Sequence, residues 1–139
     1  MQAAFYCDKV TKEVPVQEFL KQLVLSLGQR KDNCLSLMAD IEEKVLSLCE
    51  SANFQSSFVK KLHDCPGLYE LRTRLDQSTL IRILFCRSES LIILLHGFTK
   101  PDRPDYNRRE RTDVDHQIKI GQERLIQVLN HNYLIINFE

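Results

Sequence analysis

The chain has 139 residues, in which 19 Lys and Arg balance 19 Asp and Glu, and 43% of the residues are hydrophobic. This balance excludes a histone-like nucleic-acid binder and an acidic disordered tail, because both classes depend on a large excess of one charge. The length suits one hydrophobic core, so we expect a single folded domain over residues 1–139.

The N-terminal half of the chain predicts a strand followed by two helices. Residues 1–7 contain a short apolar run that suits a strand, and residues 15–51 carry two apolar stripes of helical period. Pro15 favours the first position of the first helix, and Asp32 or Asn33 can cap the second. The stripes consist of Val16, Phe19, Leu20, Leu23, Val24 and Leu27 in the first helix, and Leu37, Ile41, Val45 and Leu48 in the second.

The middle of the chain changes its hydrophobic period to about two, as strands require. Residues 53–66 have no clear pattern and suit either a helical turn or a loop anchored on the core. Residues 68–100 divide into three apolar strands with short polar connections, which is typical of an antiparallel meander. We expect the third of these strands to lie at the buried centre of a sheet.

The C-terminal part predicts a polar loop at 101–112 and a helix at 113–130, capped by Thr112 or Asp113. The apolar end at 133–138 can add an edge strand. The residues expected to face inward from the helix are Val114, Ile118, Gly121, Leu125 and Leu129, and close packing against the sheet would explain the glycine among them. These elements predict an α+β fold, in which the meander packs against two N-terminal helices and one C-terminal helix.

Cysteine usage and the N-terminus favour a cytoplasmic protein. The five cysteines are odd in number and contain no C-x-x-C pair, so we expect reduced thiols and not a disulfide framework. The four histidines have no metal-ligand spacing, and we expect no metal and no cofactor. No signal peptide is recognisable, and no apolar run approaches the roughly 20 residues of a membrane span. We therefore expect no membrane partner.

Cations are the unusual feature of the predicted sheet. Arg72 and Arg74 share one face of a strand because side chains alternate, and Arg82 interrupts an otherwise apolar strand. Near the end of the third strand a further set alternates in the same way, namely His96, Phe98 and Lys100.

Two interpretations of these cations remain open. They can converge in a groove that holds a phosphate, for which the planar fork of arginine is suited. Alternatively, they lie on a solvated face and pair with neighbouring acids, namely Glu70, Asp76 and Glu89. His96 taken by itself is most simply a structural histidine.

Four short motifs in the right order resemble the RelE/HigB superfamily of type II toxins, and in particular its phage-derived HigB-like branch. They are VPVQEFL at 14–20, GLYELR at 67–72, RILF at 82–85 and LHGFTK at 95–100. The resemblance covers most of the chain and implies a small RelE-like toxin domain. This chain departs from the family in two respects. The loop after Lys100 is longer than usual, and the chain has no net charge whereas family members are commonly basic. The lack of positive charge weakens the expected binding of free RNA.

The resemblance implies a ribosome-dependent mRNA endoribonuclease of a toxin–antitoxin system, which acts without a metal through attack of the RNA 2′-OH on the adjacent phosphate. Arg72 and Arg82 would clamp the phosphate, His96 would act as acid or base, and Lys100 would stabilise charge or accept a proton. Further RNA contacts are expected from Arg74, Arg87, Arg103, Arg108, Arg109 and Arg111.

The implied partners are the ribosome, mRNA and a cognate antitoxin, which in this branch usually carries a helix-turn-helix domain. We expect the antitoxin to block the groove or to cover an exposed strand edge. Two alternatives remain, namely a gyrase-poisoning toxin of the same fold and a catalytically inactive, phage-derived interaction module.

Overall fold

The computed structural model describes residues 1–27, 31–50, 57–103 and 107–139. This part of the chain forms an α+β fold, as the sequence predicts. Its elements are β1 (Gln2–Cys7), α1 (Pro15–Ser26), α2 (Lys31–Glu50), β2 (Val59–Lys61), β3 (Tyr69–Arg74), β4 (Thr79–Ser88), β5 (Leu91–Pro101), α3 (Arg108–Leu129) and β6 (Leu134–Asn137). Several predicted positions lie outside the described residues. They are 28–30 and 51 of the predicted helical segment, 53–56 of the undecided stretch and 104–106 of the predicted loop.

The strands form one mixed sheet in the order β2-β3-β4-β5-β1-β6. The antiparallel meander β3-β4-β5 is confirmed, and β5 lies inside the sheet between β4 and β1. The N-terminal strand β1 pairs in parallel with β5, and β6 then adds antiparallel to β1 as the predicted edge strand. The short strand β2, which the sequence pattern did not identify, pairs with β3 at the opposite edge.

Two apolar clusters cover the two faces of this sheet. The first contains most of the predicted stripes of α1 and α2, including Val16, Ile41 and Val45, against the β4 residues Ile81 and Ile83. The second contains α3 residues against the other side of the same strands. No helix in the described ranges is long and apolar enough to cross a membrane.

Gly121 of α3 allows this helix to approach β4 closely. A Cβ atom at this position would lie 2.4 Å from Cδ1 of Leu84, so the expected close packing is confirmed. The predicted inward face was wrong at its last position, because Leu129 is 68% exposed and Val128 is buried in its place.

The predicted bounds of the polar loop, 101–112, and the predicted helix start at 113 are also wrong. Strand β5 continues to Pro101, and α3 begins at Arg108 with Asn107 as its cap. The Asn107 side chain accepts a hydrogen bond of 2.9 Å from the backbone N–H of Glu110, which satisfies one of the donors left open at a helix start. The first turn and a half lacks an apolar stripe because it lies in solvent, which is why the sequence suggested a loop.

A β-bulge in β5 determines which face the end of that strand presents. Leu84 pairs with His96, but the next residue, Phe85, pairs with Leu94, so Leu95 is one residue too many on β5. Before the bulge, the odd-numbered residues Ile93 and Leu95 face α3. The extra residue shifts this alternation by one position, so His96 and every second residue after it also face α3 and not α1 and α2.

Candidate functional site

The sheet register brings the predicted cations together on the face that α3 partly covers. Arg72 of β3 is the direct partner of Arg82 on β4, and Arg82 in turn pairs with Phe98 on β5. Lys100 lies two residues beyond Phe98 on the same strand, as a diagonal neighbour of Arg82. Diagonal neighbours lie roughly 7–8 Å apart, within reach of long side chains. We call Glu70, Arg72, Arg82, Phe98 and Lys100 the cationic face.

The pairing of Arg72 with Arg82 is a close one. The backbone N–H of Arg72 points away from β4 and donates to the carbonyl of Phe58 at 2.8 Å. The two arginines therefore form a non-hydrogen-bonded pair, in which Cα atoms are roughly 4.5 Å apart and side chains approach most closely. Like charges in this position repel each other unless an anion lies between them.

Glu70 supplies that anion. Its side chain is completely buried, and it forms an ion pair with Nη2 of Arg82. Nε of Arg72 lies 3.9 Å from the other carboxylate oxygen of Glu70. The sequence suggests only a surface pairing between Glu70 and the arginines. The burial of Glu70 with Arg82 depends on how the sheet packs and cannot be read from alternation alone.

Arg82 is the most deeply buried member of the cationic face, with 5% of its surface exposed. Its guanidinium carbon lies 5.5 Å from the centre of the Phe98 ring, close enough for a cation–π contact. Its Nε and Nη1 atoms have no hydrogen-bond partner among the described residues. Such unsatisfied donors are rare in folded proteins and require an explanation.

Lys100 is partly buried, and its pKa lies below the ordinary value for lysine. Loss of hydration on burial is the main cause, and the positive charge of Arg82 adds to it. Glu70 opposes the shift because its negative charge favours the protonated amine. A larger fraction of Lys100 is therefore neutral near physiological pH than for a lysine in water.

His96 is held between two side chains of α3. Its Nδ1 lies 2.8 Å from Nη1 of Arg124, and its Nε2 lies 2.5 Å from Oε1 of Gln117. An arginine can only donate, so Nδ1 accepts and the proton of the neutral ring sits on Nε2, which donates to Gln117. Burial lowers the pKa of His96, as do the positive charge of Arg124 and the neighbouring His116. The surroundings therefore favour a neutral imidazole with both nitrogens engaged.

Sequence reasoning missed the two α3 residues that orient His96. Gln117 and Arg124 are seven positions apart, which is two helical turns, so they lie on one face of α3. Arg124 also donates to the backbone carbonyl of Leu95 at 2.9 Å, at the bulge itself. The helical spacing was visible in the sequence, but nothing in it indicated that this face would meet His96.

The other arginines predicted to contact RNA do not join the cationic face as one group. Arg74 lies on the same side of β3 but pairs with Asp102 at 2.5 Å, and Arg103 pairs with Glu110. Arg87 shares its side of β4 with Phe85, so it faces away from the cationic face. The remaining three are exposed in the first turns of α3, namely Arg108, Arg109 and Arg111.

In the described part of the chain, no three His, Cys, Asp or Glu side chains are placed to hold a metal ion. All five cysteines are free thiols, and four of them are buried. The cationic face itself carries guanidinium, ammonium and carboxylate groups.

The chain matches no protein-family model, no curated protein and no solved structure.

Proposed function

We propose that this chain is a RelE/HigB-like toxin that cleaves translated mRNA on the ribosome. The observation that carries the proposal is the direct cross-strand pairing of Arg72 with Arg82, with Lys100 as the next cation on the same face. Arginine forks bind phosphate oxygens, and a cation cluster on a sheet face is suited to the extra charge that develops on phosphorus during cleavage.

In the proposed reaction, neutral Lys100 accepts the proton of the RNA 2′-OH. The 2′-oxygen then attacks the adjacent phosphorus, and the bond from phosphorus to the 5′-oxygen of the next nucleotide breaks. The products are a 2′,3′-cyclic phosphate and a 5′-hydroxyl end, whose proton comes from water. Arg72 and Arg82 stabilise the charged phosphorane, and the lowered pKa of Lys100 favours its role as acceptor.

His96 enters this mechanism as a neutral positioning residue. Its ring stacks on that of Phe98, with the two ring centres 5.9 Å apart, and Phe98 in turn contacts Arg82. Lys100 is four positions along the strand from His96, a span of roughly 13 Å, which is long for two groups acting on one phosphate. Fixing the imidazole between Gln117 and Arg124 therefore helps to hold Phe98 beneath Arg82.

The element order supports the same assignment. A strand, two helices, the short strand β2, a three-stranded meander, a helix and the edge strand β6 follow one another. Apart from β2 and β6, this is the order that the RelE-like resemblance implies. In this proposal the partner is a cognate antitoxin with a helix-turn-helix domain, which covers the cationic face or an exposed strand edge.

The proposal is tested by inducing the chain alone in a bacterial culture and mapping 5′-hydroxyl RNA ends. Arg72→Ala and Lys100→Met are compared with the wild type, and Lys61→Ala is the matched control because Lys61 is exposed and its partner is Tyr69, outside the cationic face. We expect growth arrest with new ends inside translated frames for the wild type and the control, and neither effect for the two site variants.

Two other results would contradict the proposal. Growth arrest with broken DNA but without new RNA ends would identify a gyrase poison. A folded wild-type chain that neither arrests growth nor generates RNA ends would be an inactive interaction module. Circular dichroism of each purified variant separates loss of activity from loss of the fold.

A further inference from the structure

We propose that Glu70 is an internal anion that sets the affinity of the cationic face for phosphate. Its carboxylate neutralises Arg82 in the ligand-free protein, and an incoming phosphate group competes with it for the same guanidinium. The inference rests on the proposed function for the identity of the substrate, an RNA phosphate, whereas binding of phosphate itself can be measured without any cleavage.

The burial of Glu70 is the first observation behind this inference. The side chain has no exposed surface, and neither carboxylate oxygen has a hydrogen-bond partner of good geometry among the described residues. Buried carboxylates in folded proteins usually accept several hydrogen bonds. Here the interactions of the carboxylate are instead ionic, with Arg82 and, at longer distance, with Arg72.

The second observation is the unsatisfied guanidinium. Glu70 engages only Nη2 of Arg82, while Nε and Nη1 lack partners among the described residues. A phosphate group offers more acceptor oxygens than the carboxylate supplies here, so it would satisfy donors that Glu70 leaves open. Arg82 is therefore held in place in the free protein without being saturated.

The third observation is the open side of the site. Arg72 retains 39% of its side-chain exposure, and Lys60, the register partner of Glu70 on β2, is exposed. In the proposal, an anion enters between these two cations and contacts the part of the Arg82 side chain that remains exposed, which is 6%. Glu70 is buried beside Arg82, and its negative charge offsets one of the positive charges that attract phosphate, so the carboxylate lowers phosphate affinity.

The test compares Glu70→Gln with the wild type in a titration with inorganic phosphate, followed by amide chemical shifts. Glutamine keeps the size of the side chain and an oxygen that can accept from Arg82, but it removes the charge. We expect the Kd for phosphate to fall by on the order of tenfold, the effect of one charge acting at close range. Glu43→Gln is the matched control, because Glu43 is exposed on α2, and its Kd should stay within about twofold of the wild type.

An unchanged or higher Kd in folded Glu70→Gln would overturn the inference. Removing the carboxylate leaves Arg82 buried without its counter-ion, so the variant can be unfolded in phosphate-free buffer. In that case inorganic phosphate must restore its circular dichroism spectrum, and a failure of this rescue would equally overturn the inference.

The two proposals fail separately. Tighter phosphate binding by Glu70→Gln without any RNA cleavage in the cellular assay would retain the internal anion and reject the nuclease. RNA cleavage together with an unchanged phosphate Kd would retain the nuclease and reject the internal anion.

Discussion

Arg72 and Arg82 face each other across β3 and β4 as a non-hydrogen-bonded pair, the position in an antiparallel sheet where side chains approach most closely. Two cations remain there because Glu70 is buried beside them. The two arginines differ in environment, since Arg82 is buried and Arg72 is partly exposed. They should therefore differ in what each contributes to stability.

Replacing Arg82 with alanine should cost about 3–5 kcal/mol of unfolding free energy, because it leaves the buried charge of Glu70 without its counter-ion. Replacing Arg72 should change the free energy by less than about 1 kcal/mol, since its longer contact with Glu70 is partly screened by water. Urea denaturation in phosphate-free buffer measures both values. Equal losses of unfolding free energy in the two variants would show that the buried Glu70 carboxylate does not need Arg82 as its counter-ion.

The environment of His96 predicts a specific loss of stability in mild acid. Its pKa in the folded protein lies below the ordinary value of 6.5, so the unfolded chain binds more protons between the two values. Stability should therefore fall as the pH drops from about 6.5 towards the lower, folded pKa. The groups facing the ring are Arg124, Gln117 and His116, and protonation would place a second cation against Arg124.

Melting temperatures at about pH 7.5 and pH 5 measure this effect in the wild type and in His96→Gln. We expect the drop between the two pH values to be smaller in the variant. His63→Gln is the matched control because His63 is exposed, and it should retain the wild-type drop. If His63→Gln reduced the drop in melting temperature as much as His96→Gln does, the acid sensitivity would belong to other groups.

Local pattern predicted most of the secondary structure. The predicted stripe of α2 is buried, and that of α1 is buried at Val16, Leu20 and Leu23 and partly buried at its other positions. This agreement arises because the spacing of apolar residues in a helix is a local property. The meander was equally visible, since its connections are short and its strands strongly apolar. The place of β1 beside β5 was not predicted, because a parallel pairing joins segments far apart in the sequence.

The candidate site illustrates why register is harder to predict than element type. Alternation correctly grouped His96 with Phe98 and Lys100, but it would have placed them on the side of Ile92 and Leu94, under α1 and α2. The extra residue Leu95 moves them to the side of α3. A bulge depends on the pairing of two strands, and a single sequence carries no pattern that fixes it.

The cap of α3 gives a direct test of the corrected helix start. Asn107→Ala should cost about 0.5–2 kcal/mol and increase hydrogen exchange in the first turn, because the N–H of Glu110 loses its acceptor. Thr112→Ala is the matched control, since the Thr112 hydroxyl donates to the carbonyl of Arg108 from within the helix and caps nothing. A larger effect from Thr112 than from Asn107 would restore the later helix start.

Gly97 gives a test of how α1 packs on β5. A Cβ atom at this position would lie 2.3–2.9 Å from three ring atoms of Phe19, so Gly97→Ala should cost about 1–3 kcal/mol through overpacking. Phe19→Leu makes room at the same point, and the double variant should be more stable than the sum of the two single losses predicts. Strict additivity in urea denaturation would mean that the two residues do not touch.

The pKa of Lys100 predicts the pH profile of the proposed cleavage. Only the neutral amine accepts the 2′-OH proton, so the single-turnover rate should rise with pH until Lys100 is deprotonated and then level off. Burial and Arg82 place this rise below the ordinary pKa of lysine, whereas Glu70 opposes the shift. Glu70→Gln should therefore move the rise to still lower pH.

Rates on ribosome-bound mRNA between about pH 6.5 and pH 9.5 measure this profile. Lys100→Arg keeps the positive charge but does not deprotonate in this range, so we expect it to lose on the order of 10²–10⁴ in rate, the contribution of a positioned acid or base. If Lys100→Arg retained both the rate and its rise with pH, the proton acceptor would be another group. Lys100 would then act only through its charge, beside Arg82.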